Sequence, residues 1–165
     1  MSRETAYIAL GSNLGDSAAL LLKAVEKLQE LSIEPLRISS LWETTPVDCP
    51  PGSALFLNAA AAIVPIPGES PETLLQKLQV LEREFGRRPK EVLNEPRPLD
   101  LDLIAFGNET RAQPGLMIPH PRAHLRRFVL EPLAEIAPDL ILPGQVKTVS
   151  ELSRALTSDE AVRKL

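Results

Sequence analysis

Arg97-Pro98-Leu99-Asp100-Leu101-Asp102-Leu103-Ile104-Ala105-Phe106-Gly107 is the stretch around which the chain is organised. Two carboxylates alternate with leucines and lead into an apolar run. In an extended strand successive side chains point to opposite faces. Asp100 and Asp102 therefore share one face, and Leu99, Leu101 and Leu103 share the other. The leucine face predicts a covering layer of helix. The carboxylate face needs a separate reason, because adjacent charges beside an apolar interior repel and lose hydration. A divalent cation removes both costs, and an all-oxygen donor set suits magnesium. An isolated pair of this kind also marks the solvent face of an edge strand. The adjoining arginines and the apolar run turn the reading toward a metal–phosphate site.

The 165 residues, 44% apolar and 24% charged, suit one soluble domain spanning 1–165 with a full core. A net charge of −4 argues against a nucleic-acid partner, whose binding is built on basic surfaces. Arg83, Arg87, Arg88, Arg97, Arg111, Arg122, Arg126 and Arg127 are nevertheless concentrated in one part of the chain. A local cluster of cations in an acidic protein predicts a small phosphorylated ligand. The single cysteine, Cys49, excludes an internal disulfide. No apolar run reaches the length of a membrane span and no signal-peptide core opens the chain, so a cytoplasmic protein is expected.

Thr5 to Leu10 reads as a buried strand that ends in the turn Gly11-Ser12-Asn13-Leu14-Gly15-Asp16. Leu20, Leu21, Val25, Leu28 and Leu31 predict a helix over 17–31. Ile33 to Trp42 and Phe56 to Ile66 read as a strand pair joined by a proline-rich loop. Ser70 and Pro71 open a second helix, Leu74, Leu75, Leu78, Leu81 and Phe85 line it, and Gly86 ends it. The carboxylate strand follows. This β-α-β-β-α-β order is the split arrangement of ferredoxin-like α+β folds, with helices on the sheet's faces. A helical C-terminal extension is expected beyond it, with Leu133, Ile136 and Leu140 covering one side of the sheet. There is neither a Walker-type phosphate loop nor a dinucleotide fingerprint. The Gly11-Ser12 turn lies too far from Asp100 for a nucleotidyltransferase motif.

Four segments taken in order carry a resemblance: Tyr7-Ile8-Ala9-Leu10-Gly11-Ser12-Asn13-Leu14-Gly15-Asp16, Phe56-Leu57-Asn58-Ala59-Ala60, Arg97-Pro98-Leu99-Asp100-Leu101-Asp102-Leu103 and Ile118-Pro119-His120-Pro121-Arg122. Together they closely resemble the 6-hydroxymethyl-7,8-dihydropterin pyrophosphokinases of folate biosynthesis. The resemblance implies a ferredoxin-like fold. It also implies transfer of the β,γ-diphosphate of ATP to the pterin hydroxymethyl oxygen, with release of AMP.

The same resemblance implies roles for individual residues. Asp100 and Asp102 match ligands of two magnesium ions that bridge the triphosphate. Arg87 and Arg97 match loop arginines that donate to phosphate oxygens as charge develops. His120 and Arg126 match phosphate contacts of ATP, and Leu103 and Met117 lie where adenine is contacted. Phe56 and Phe128 match an aromatic pair that sandwiches the pterin. The Asn58 carboxamide both donates and accepts, complementing the amide edge of a pterin. Thr44, Pro46 and Val47 match a loop reading the remaining pterin edge, with Asn13 supporting the pocket from behind. His124 matches no role, and no residue stands out as a general base. A monomer without a nucleic-acid or membrane partner is expected.

Leu93-Asn94-Glu95-Pro96-Arg97 departs from the family pattern, which usually has a basic residue, an aromatic and a glycine before Pro-Arg. That departure keeps a non-catalytic nucleotide- or pterin-binding homologue as the alternative. An RNA-recognition domain shares the element order, but it needs exposed aromatics and a basic face that this chain lacks.

Overall fold

The computed structural model describes residues 4–13, 17–44, 56–86, 99–156 and 162–165. Its elements run β1 (Ala6–Ser12), α1 (Ser17–Gln29), β2 (Arg37–Ile38), β3 (Trp42–Thr44), β4 (Phe56–Ile63), α2 (Pro71–Glu84) and β5 (Asp100–Phe106). These form the expected β-α-β-β-α-β unit, with its second strand divided in two. The extension adds a hairpin, β6 (Arg111–Gln113) with β7 (Leu116–Ile118), and a short 3-10 helix (Ala123–Leu125). Helices α3 (Arg127–Ile136) and α4 (Val149–Ala155) and strand β8 (Val162–Lys164) follow. The main sheet is antiparallel with order β5-β1-β4-β3-β8, and β2 also pairs with β4. No helix among the described residues is long and apolar enough to cross a membrane.

The sheet is buried on both faces, for different reasons. Leu99, Leu101 and Leu103 pack with Ile8, Leu10, Leu21, Leu28, Leu74 and Leu78, the helix-covered face that the leucine alternation requires. On the other face Tyr7, Ala60, Ala62, Ile104 and Ala105 meet Val129, Leu130 and Leu133, with Ile136 and Leu140 packed against them. The alanines of β4 keep its profile low, so helices on both sides approach closely. Ser70 caps α2 in a reciprocal box with Thr73, Pro71 sits at its first position, and Gly86 takes the left-handed conformation beyond its end.

Several element boundaries differ from the sequence reading: α1 stops at Gln29, short of residue 31, and β4 stops at Ile63, short of Ile66. β1 runs on through Gly11 to Ser12, so Gly11 is a strand residue and not part of the turn. The strand expected over Ile33–Trp42 begins only at Arg37 and is interrupted from Ser39 to Leu41. The Ser39 hydroxyl accepts from the Ala60 N–H at 2.9 Å, and the Ser40 N–H donates to the Glu135 carboxylate of α3 at 3.1 Å. Side chains thus supply partners that a regular ladder would take from backbone. The helical extension also contains strands, and β8 covers the edge of β3.

Candidate active site

Cross-strand partners in a sheet project on the same face, so the register lines up the candidate residues. Gly11 pairs with Asp100 on one side and with Asn58 on the other, and Asn58 pairs with Trp42. Asp102, Ala9 and Ala60 form the next row, and Thr44 faces Phe56 at the end of the sheet. Along this one face the side chains change from apolar core (Tyr7, Ala62, Ile104) to acid, amide and hydroxyl. Helix α3 covers the apolar end and leaves the polar end as the candidate site.

Within it the Thr44 hydroxyl donates to Asn58 Oδ1 at 2.7 Å, and both residues are buried. That bond directs the carboxamide oxygen toward β3 and its NH2 group toward β1. Phe56 is partly buried opposite Thr44. Phe128, in the first turn of α3, packs at the margin of the second core, and the Arg126 guanidinium lies over its ring. Asn13 is buried beside the end of β1.

His120 reaches the site through a bulge. Ile8 pairs with Leu103 but Tyr7 pairs with Ala105, so Ile104 is an extra residue in β5. Its carbonyl accepts from the His120 N–H at 2.8 Å, which ties the Ile118-Pro119-His120 segment to the carboxylate strand. His120 Nδ1 accepts from the Arg122 N–H at 3.1 Å, leaving the proton of a neutral ring on Nε2. Burial holds the His120 pKa below its ordinary value. Repulsion from Arg126 and Arg122 adds to that effect, against attraction from Asp100. Histidine, two arginines and a carboxylate therefore share one neighbourhood. His120 and His124 also line a small cavity of about 170 Å³ with Pro119, Leu142 and Gln145.

Two arginines of the sequence cluster are tied elsewhere. Arg111 bonds Glu72 at 2.6 Å and Glu109 at 2.9 Å, fastening the β6–β7 hairpin to α2. Arg127 donates to the Leu156 carbonyl at the end of α4. Leu103 lies in the helix-covered core on the face away from the carboxylates, whereas Met117 on β7 is exposed. Arg87, Arg97, Pro46 and Val47 lie outside the described residues, as does the unusual segment at Leu93-Asn94-Glu95.

One residue of consequence escaped the sequence reading. Glu82 is buried in α2, and its carboxylate accepts from the N–H of Leu101, between the two aspartates, at 2.8 Å. The signal was present: Glu82 follows Leu78 by one helical turn and so sits on the buried stripe.

Asp100 and Asp102 are half-buried at the open end of the sheet. Among the described residues no set of three histidine, cysteine or acidic side chains is placed to hold a metal. Two carboxylates alone fit magnesium well, because that ion keeps much of its coordination for water and phosphate oxygens.

A family model described as 7,8-dihydro-6-hydroxymethylpterin-pyrophosphokinase (HPPK) matches residues 7–138. The chain belongs to the HPPK family. It is 42% identical over 159 residues to a 2-amino-4-hydroxy-6-hydroxymethyldihydropteridine pyrophosphokinase of Bacillus subtilis, covering 96% of this chain and 88% of that protein. The protein of the same name from Haemophilus influenzae is 38% identical over 160 residues, 96% and 97% of the two chains. A Pneumocystis carinii folic acid synthesis protein is 39% identical over 143 residues, which are 87% of this chain but 19% of its own length. Among solved structures, a wild-type Plasmodium falciparum HPPK-DHPS matches with a TM-score of 0.69 at 14% identity, over 93% of this chain and 41% of that one. At that identity the likeness shows the fold alone: a ferredoxin-like HPPK domain within a chain more than twice as long.

Proposed function

We propose that this HPPK domain catalyses attack of the hydroxymethyl oxygen of 6-hydroxymethyl-7,8-dihydropterin on the β-phosphorus of ATP. The new O–P bond forms as the bond from the β-phosphorus to the α,β-bridging oxygen breaks, and AMP leaves. The hydroxyl proton passes to solvent. As a member of this family the chain is an ATP-dependent diphosphokinase of folate biosynthesis. One observation carries the reading: the carboxylates Asp100 and Asp102 share an open sheet face with the buried Thr44–Asn58 pair. That brings an anion-and-metal end and a ring-recognition end onto neighbouring cross-strand rows of one face.

In this reading Asp100 and Asp102 would hold two magnesium ions together with the triphosphate, and charge around the attacked phosphorus would thereby be neutralised. His120 donates from Nε2, and Arg126 donates to phosphate oxygens, with Arg87 and Arg97 joining them from the preceding loop. Asn58, fixed by Thr44, reads the amide edge of the pterin. Phe56 and Phe128 stack on its ring, and Pro46 and Val47 border it. Met117 offers apolar surface to adenine, and Leu103 contributes backbone. Residues 1–165 act as one domain, monomeric and cytoplasmic. No observation favours a non-catalytic homologue.

The deciding assay measures AMP released from ATP and magnesium with the hydroxymethyl pterin, at stoichiometric and at catalytic enzyme. Many equivalents of AMP, matched by pterin diphosphate, are expected. One equivalent or less per chain would overturn the reading.

A further inference from the structure

We infer that Gly11 is a positioning residue for acceptor recognition, acting by leaving room for the Asn58 carboxamide to lie across the central strand. The inference rests on the functional reading above and extends it to a residue to which that reading gives no role. Gly11 sits inside β1, not at a turn, and is not among the glycines of positive φ. Its backbone conformation is therefore open to any residue, and glycine in a strand interior needs another cause.

That cause is a close approach. A Cβ built on Gly11 would lie 3.1 Å from Asn58 Nδ2 and 3.8 Å from the Leu57 carbonyl. At that distance the amide nitrogen must give way by a few tenths of an ångström before any side chain at position 11 can be seated. On its far side the carboxamide is held by the Thr44 hydroxyl at 2.7 Å. Asn58 is thus gripped between a hydrogen bond at its oxygen and a bare strand beneath its nitrogen. Its NH2 group faces the side of the row where Asp100 stands, since Gly11 pairs with both residues. A heterocycle recognised by this NH2 is brought over β1 toward the carboxylates, where a substituent must meet the triphosphate. A methyl group at position 11 pushes the amide outward against its bond to Thr44. It disturbs the placement of the acceptor while leaving the nucleotide's contacts alone.

The test is a double-mutant cycle of Gly11→Ala and Asn58→Ala, read by titration with the hydroxymethyl pterin and separately with a non-hydrolysable ATP analogue. Gly11→Ala should weaken pterin binding about tenfold, the scale of one misplaced hydrogen bond, and raise the KM for pterin more than it lowers kcat. ATP-analogue affinity should stay within about twofold. In the Asn58→Ala background the same change should cost nothing further, because the amide it displaces is gone. Full additivity, equal losses for both ligands, or unchanged pterin affinity would each overturn the inference. If Gly11→Ala does not fold, the double variant must fold; its failure would show that something other than Asn58 uses the space. Wild-type protein that binds no pterin would overturn the functional reading and this inference together. Wild type that binds pterin, with an indifferent Gly11→Ala, overturns this inference alone.

Discussion

The Arg126 guanidinium stands over the face of the Phe128 ring, 5.5 Å from its centroid. The proposed nucleotide contact and the proposed pterin contact therefore touch one another at the start of α3. Cation–π pairs at accessible sites contribute about 0.5–1 kcal/mol. Phe128→Ala should consequently weaken ATP-analogue binding by a factor of about two to five, through loss of order at Arg126. Pterin binding should fall further, because a stacked ring is also lost. Calorimetric titration with each ligand checks this. Equal losses would place Phe128 in the core and outside the ligand site.

Asp102→Asn tests the carboxylate pair. It should leave pterin affinity nearly normal while magnesium-dependent AMP release falls by about 10²–10³, the usual loss when one transition-state interaction is removed. Turnover close to wild type would remove Asp102 from the metal site.

Glu82 supports the same strand from the opposite face. Its carboxylate accepts the Leu101 N–H at 2.8 Å, directly between the two aspartates. Glu82→Ala leaves that donor without its acceptor, at a cost of about 1–3 kcal/mol in folding stability. AMP release should fall as well, since the carboxylate strand loses its outer anchor. Denaturant unfolding and the AMP assay together check the pair of effects. A stable and fully active variant would show that β5 needs no such anchor.

Glu135 gives the fold a dependence on pH. Burial raises its pKa, but bonds from the Ser40 hydroxyl, the Trp42 indole and the Ser40 N–H outweigh that, with Lys164 adding attraction, and leave it below 4.5. The unfolded chain thus binds this proton first as pH falls. The stabilisation is complete above about pH 4.5 and is lost as pH drops through the lower folded value. Trp42, the only tryptophan, donates to Glu135 at 3.0 Å, so its fluorescence should report the loss directly. In Glu135→Gln the pH dependence of stability below 4.5 should be shallower. An unchanged slope would assign it to other carboxylates.

Local pattern carried much of the structure. The alternation Leu99-Asp100-Leu101-Asp102-Leu103 settles which face of β5 is covered and which bears the acids, because strand side chains alternate regardless of what surrounds them. The leucine spacing of α1 and α2, and the Ser70–Pro71 start of α2, depend only on residues within a few positions of each other. Of the candidate residues, the alternation itself pointed only to Asp100 and Asp102; the others were named through the resemblance of four short segments to one family.

What remained hidden depends on groups far apart in the chain. Ser39 and Ser40 interrupt a strand that β-propensity alone would continue, and they do so because Glu135 and Ala60 arrive there with better partners. Arg111 and Arg127 look like free cations until Glu72, Glu109 and the Leu156 carbonyl are folded against them. Gly11 reads as a turn residue until register sets it between Asp100 and Asn58. Periodicity encodes which way a side chain faces, and the sequence by itself determined that much. Which group it meets is decided only when strands and helices distant in the chain close on one another, since each contact competes with water and with every alternative partner.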